Sequence, residues 1–226
     1  MLLLILVLEL FLLFLTSRLI SRSLFTLFFR IFRKESIAAR GVTLVFFPGT
    51  VVHELAHYGM AKMLFVSTGK ISFTPELRGE SIRLGSVQVA KSDILRRLLI
   101  GVAPIIVGVI ILSVATYYLL PFLYNVSFSW QYFLLLVVYL YGVFVITNTM
   151  FSSRKDMEGF LAVGVFLTLI TGIVVLAGMG DALLNGLWYV VESDGVQRYS
   201  QKIFELLLIP LSINGLIIVV GKLMRR

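Results

Sequence analysis

Three residues whose types and spacing can do chemistry stand together: His53, Glu54 and His57, in the order H-E-x-x-H. On a helix, side chains at i and i+4 lie one turn apart on the same face, so both imidazoles can reach one ion. The glutamate beside the first histidine then projects near the remaining coordination position. There it can take a proton from an activated water and later deliver it to a leaving amine. The chain has two histidines in all, and both are in this motif. Two histidines and eight glutamates scattered at random over 226 positions would fall this way about 3 times in 10,000.

A catalytic zinc ion needs a third protein ligand and an open place for water. The chain has no cysteine, which excludes disulfides, thiolate ligands and cysteine nucleophiles. With no third histidine either, the remaining ligand must be Asp or Glu. The same shortage excludes membrane di-iron oxygenases, which need many histidines. Of the twelve acidic residues, Glu9, Glu35, Glu76, Glu80 and Glu192 fall in terminal or interfacial segments. Asp156 and Glu158 stand where the fourth apolar stretch meets the fifth.

The elements that must position these groups are membrane elements. Hydrophobic residues make up 59% of the chain and charged residues 14%, with a mean hydropathy of +0.99. An ordinary soluble globule carries about 25% charge, and a chain this apolar cannot stay solvated as a disordered one. The fold class expected is an all-α polytopic membrane protein of about six transmembrane helices. The net charge of +8 fits loops and anionic lipid better than nucleic acid, because no basic stretch lies outside the membrane framework.

Residues 2–16 read as a retained anchor helix, lacking the basic n-region and cleavage site of a signal peptide. Residues 18–34 mix Arg18, Arg22, Arg30, Arg33 and Lys34 with apolar residues. They read as a surface helix or as a continuation of the first helix into the headgroups. Further spans are expected at 42–66, 98–120, 130–151, 159–179 and 203–221. Between the second and third, residues 67–93 alternate polar and apolar on both sides of Pro75 to Glu80, the pattern of a membrane-adjacent β-hairpin over 70–90 with its turn there. The organisation expected is an anchor and basic segment (1–41), a metal-binding core of three helices with the hairpin (42–160), and C-terminal helices (161–226). By the positive-inside rule, 66–97, 152–158 and the C-terminus face the cytoplasm; strict alternation then leaves the basic segment 18–40 outside, against the rule.

On these residues the chain resembles the site-2 proteases, intramembrane zinc metalloproteases. Their first core helix carries H-E-x-x-H, and a later one carries Asn, a proline-containing stretch and then Asp-Gly. Asn148 and Asp156 have the family's separation of eight, and Gly101-Val102-Ala103-Pro104 matches the family's Ala-Gly-Pro-like segment on the intervening helix. The resemblance covers about residues 42–160. The chain departs from the pattern where Ser152 and Ser153 replace the prolines and where the glycine comes three positions after Asp156, at Gly159.

The resemblance implies one zinc ion held by His53, His57 and Asp156, with Glu158 the alternative third ligand. It implies Glu54 as catalytic base, and Asn148 as a hydrogen-bond donor to the substrate backbone or oxyanion; tying helices together is Asn148's other reading. The partners expected are a transmembrane protein or peptide substrate and the lipid bilayer. The expected location is the cell membrane, with the site open to the cytoplasm. About 30 residues separate the second and third spans, which leaves no room for an inserted PDZ domain. The rival readings are an inactive metal-binding or scaffold relative, and a zinc protease whose third ligand is a distant Glu192 or Glu205.

Overall fold

The computed structural model describes residues 2–73, 76–78, 81–83, 85–119, 121–122, 129–151, 164–165 and 168–224. Helix α1 runs unbroken over Leu2–Phe32. Of the two readings of residues 18–34, the continuation of the first helix is the one that forms, and the first 32 residues contain neither Gly nor Pro. The hydroxyls of Thr16 and Ser17 bond back to Leu12 O and Phe14 O at 2.9 Å each, and the Arg18 guanidinium lies over the Phe14 ring. Polar groups satisfied in this way do not interrupt an apolar helix. The helix closes at Arg33, which adopts a left-handed backbone (φ 55°) and donates its N–H to Phe29 O.

Helix α2 spans Glu35–Met63 and so starts before the expected apolar stretch. Pro48 lies inside it and does not begin it. Its buried residues Val42, Phe46, Gly49, Thr50, His53 and His57 recur every three to four positions, one stripe facing the interior. The helix ends in a Schellman motif. Val66 N–H bonds to Ala61 O at 2.8 Å and Phe65 N–H to Lys62 O at 3.1 Å, with Phe65 left-handed at φ 58°. The motif seats Val66 against Ala61 and Ile100.

The expected hairpin forms, but with nested pairs. Strand β1 (Thr68–Ser72) pairs antiparallel with β4 (Ser86–Val89), Ile71 opposite Val87. Inside it β2 (Glu76–Arg78) pairs with β3 (Ser81–Arg83). The expected turn over Pro75 to Glu80 is therefore corrected: residues 76–78 are strand, and Arg78 faces Ser81 with Gly79 and Glu80 between them in the chain. The hairpin also folds back along α2, with Phe73 edge-on to Phe47 at 6.3 Å between ring centroids.

Helix α3 (Ile94–Val114) is capped by Asp93, whose side chain accepts from Arg96 N–H at 2.9 Å. That hydrogen bond and the nearby guanidinium hold the exposed Asp93 carboxyl below its ordinary value. A π-helical turn at Ala115–Leu119 continues it. Helix α4 (Trp130–Thr149) is capped by Ser129. Beyond the π-turn at Val175–Met179, where Gly178 has φ 76°, come α5 (Gly180–Glu192) and α6 (Asp194–Leu223). The helical stretch Thr168–Ala182 meets Leu184–Glu192 at a bend of 65°, just beyond the expected fifth span. Among the described residues five helices are long and apolar enough to cross a membrane, six if the bent pair counts as one.

Packing fixes the helix directions. Phe28 lies against Gly41, so α1 and α2 are antiparallel neighbours. Phe46 stacks on Phe144 at 5.9 Å, and a Cβ at Gly49 would collide with Thr149 Oγ1 and Val145; α2 and α4 therefore run parallel at close approach. Thr16 meets Asn214, and Ser23 meets Gly221 seven residues further on, so α6 runs parallel to α1. This corrects the expected topology. The C-terminal end of α6, with Lys222, lies at the end of the bundle where α1 stops, opposite the hairpin. The C-terminal end of α4 and the N-terminal end of α6 both lie at the hairpin end.

Among the described residues, polar side chains are buried beside an apolar core, and many large apolar side chains are exposed. Thr50, His53, Glu54, His57, Thr147 and Asn148 are buried, while Phe11, Leu44, Ile110, Val138, Leu176 and Leu216 are exposed. Glu9 is also buried, on the α1 face level with Leu207, and among the described residues neither of its oxygens has a hydrogen-bond partner.

Candidate metal centre

The α2 stripe carries His53, Glu54 and His57 into the interior, at 3%, 6% and 9% exposure. The two imidazoles meet edge-to-face, with Nε2 of His53 3.2 Å from Nε2 of His57. Two ligands of a tetrahedral zinc with Zn–N of 2.0–2.1 Å stand about 3.3 Å apart. The pair therefore already has the spacing of one edge of such a site.

The other nitrogen of His57 is committed. Its Nδ1 lies 2.8 Å from the backbone carbonyl of Ile100 on α3. A carbonyl can only accept, so Nδ1 carries the proton and Nε2 presents a lone pair. This is the outer-shell bond that metal-ligating histidines characteristically make. The Schellman turn at the end of α2 helps to set it, because Val66 and Ala61 pack on Ile100.

Glu54 sits under the hairpin. A Cβ built at Gly85 would come within 2.9 Å of Glu54 Oε1 and of Thr50 Cγ2. Only a glycine lets the start of β4 approach the carboxylate so closely. Sequence reasoning missed Gly85 and Thr50. The one signal for Gly85 was a glycine beside an alternating strand pattern, a hint of close backbone approach.

Asn148 is buried. Its Nδ2 donates to Phe144 O at 2.8 Å and to Asn214 Oδ1 at 3.1 Å. Asn214 Nδ2 returns a bond to Asn148 Oδ1 at 2.8 Å and reaches Thr16 Oγ1 at 3.1 Å. Both amide hydrogens of Asn148 are spent on helix α4 itself and on α6, so in this arrangement it has no donor left for a substrate oxyanion. The geometry is that of a clamp across α1, α4 and α6. Asn214 was also missed; its signal was a lone amide in the apolar run Ile213-Asn214-Gly215.

Asp156 and Glu158 lie outside the described residues. Among the described residues no group of three His, Asp or Glu comes together to hold a metal. Helix α4 runs parallel to α2, and Phe151 just beyond it packs on Phe14. The C-terminus of α4 therefore lies at the end of the bundle where α2 ends. Asp156 lies five positions after Phe151, a reach of up to about 17 Å if extended.

Comparisons with protein-family models, with curated proteins and with solved structures find no match.

Proposed function

We propose that the chain is an intramembrane zinc metalloprotease, hydrolysing peptide bonds of membrane-protein substrates within or near the bilayer. The observation that carries this reading is the histidine pair: two Nε2 atoms 3.2 Å apart, one of them oriented through its Nδ1 by a backbone carbonyl. The buried Glu54 beside it supplies the base. Long apolar helices with many exposed apolar side chains support a bilayer as the solvent.

In this reading His53, His57 and Asp156 would hold the ion. Bound zinc would polarise a water and a peptide carbonyl and bring the water's pKa toward neutrality. Glu54 accepts the proton from the attacking water and passes it to the leaving amine. Its burial among Thr50 and Gly85 keeps bulk water away from the carboxylate. A helical substrate shields its carbonyls in hydrogen bonds, so it must unwind before attack. The hairpin alongside α2 offers strand edges to hold an extended segment. Asn148 and Asn214 serve by fixing α4, the helix that leads to Asp156.

The test is metal content combined with cleavage. Purified wild-type chain is expected to carry one zinc and to cleave a single-span membrane substrate, with cleavage lost on chelation and restored by zinc. His53→Ala, His57→Ala and Asp156→Ala are expected to lose the ion, and Glu158→Ala to keep it. Retention in Asp156→Ala with loss in Glu158→Ala would exchange the third ligand. Zinc binding with no cleavage of any membrane substrate would favour a non-enzymatic scaffold.

A further inference from the structure

The geometry points to Pro104 as a positioning residue of the metal centre, acting through the carbonyl of Ile100 on His57. This inference rests on the metal-centre reading above. In an α-helix the N–H of residue 104 would bond to the carbonyl of residue 100. Pro104 lies inside α3 and has no N–H, so the Ile100 carbonyl loses its intrahelical donor. Both residues are buried, and a buried carbonyl without a partner is costly. His57 has the complementary need. To present Nε2 to an ion, it must keep its proton on Nδ1, and that proton needs an acceptor. The 2.8 Å contact between Nδ1 and Ile100 O satisfies both.

Proline in a helix does not create this arrangement by itself. Pro48 and Pro210 also lie inside helices, and the carbonyl that Pro48 releases belongs to Leu44, which is 75% exposed. What distinguishes Pro104 is the histidine on the carbonyl it frees. Pro104 touches neither metal nor substrate in this account; it removes a competitor for the acceptor that orients a ligand.

The experiment reads the tautomer before any metal is added. With two histidines in the chain, ¹⁵N-histidine labelling and a single assignment variant, His53→Gln, resolve the His57 ring in the metal-free protein. Wild-type His57, when neutral, is expected as the Nδ1–H tautomer. Pro104→Ala restores the N–H, returns the Ile100 carbonyl to the helix and is expected to shift His57 toward the Nε2–H form. Zinc affinity should fall about ten- to a hundredfold, the usual cost of losing such an outer-shell bond. Pro48→Ala should change neither readout. Alanine favours the helix, and Pro104→Leu supplies the same N–H if the first variant fails to fold.

An Nε2–H tautomer in the wild type would overturn the inference. So would an unchanged tautomer and an unchanged zinc affinity in a folded Pro104 variant. The tautomer needs neither zinc nor substrate. A wild type with the expected tautomer and no proteolysis would therefore overturn the proposed function and leave this inference standing.

Discussion

Gly85 and Glu54 define the tightest contact in the centre. The backbone at Gly85 leaves no room for a methyl group against the Glu54 carboxylate and Thr50. Gly85→Ala must therefore push β4 away from the carboxylate or turn Glu54 from its place. Misplacing a catalytic group by about 1 Å can cost about a hundredfold in rate. We expect a loss of that order in cleavage, with zinc content unchanged because neither histidine is displaced; concurrent loss of the metal would refute this account of Gly85. At this scale much of the site was legible. His53, Glu54 and His57 stand out because ionisable residues in an apolar helix need a reason to be there. Gly85 and Asn214 did not stand out, and Pro104 did so only within the resemblance, because what each does depends on a partner far along the chain. A glycine's worth lies in what comes close to it, and a proline's in the carbonyl it leaves open.

Between elements, the Asn148–Asn214 pair joins α4 to α6, and Thr16 extends it to α1. Removing one amide leaves the other buried and short of partners, at a cost of about 1–3 kcal/mol. Asn148→Ala and Asn214→Ala are each expected to destabilise the folded chain by that order in thermal unfolding in detergent. The double variant should cost clearly less than the sum of the two, because the second change removes nothing further from the pair. Additive losses would show that the two amides act separately, and would return Asn148 to a substrate-binding role. The existence of the helices was readable from apolar length, and that of the hairpin from its alternation. Boundaries were not. Helix α1 continues past Ser17 because the hydroxyls of Thr16 and Ser17 bond back to its own carbonyls. Residues 76–78 became strand because β3 is there to pair with them.

For the whole molecule, the parallel run of α1 and α6 sets the two ends of the bundle. Basic residues lie at both: Arg30, Arg33, Lys34 and Lys222 at one, and Lys62, Lys70, Lys91 and Arg97 at the other. Charge counting therefore misjudged the C-terminus. It placed Lys222 at the hairpin end, whereas α6 packs parallel to α1 and carries Lys222 to the other end of the bundle. The natural absence of cysteine makes this testable. Ser67→Cys and Lys222→Cys, introduced singly, are expected to react with a membrane-impermeant thiol reagent from opposite sides of sealed vesicles. Labelling of both from one side would contradict the packing of α6 along α1.

The central claim is that Glu54 moves the proton in peptide-bond hydrolysis at a zinc held by the α2 histidines. Replacing the carboxylate with an amide, Glu54→Gln, changes almost nothing in size and leaves the histidines in place. The account predicts that this variant keeps its zinc and loses cleavage of a single-span substrate by about a hundredfold or more, the least that removal of a general base costs. Cleavage by zinc-loaded Glu54→Gln at the wild-type rate would contradict it.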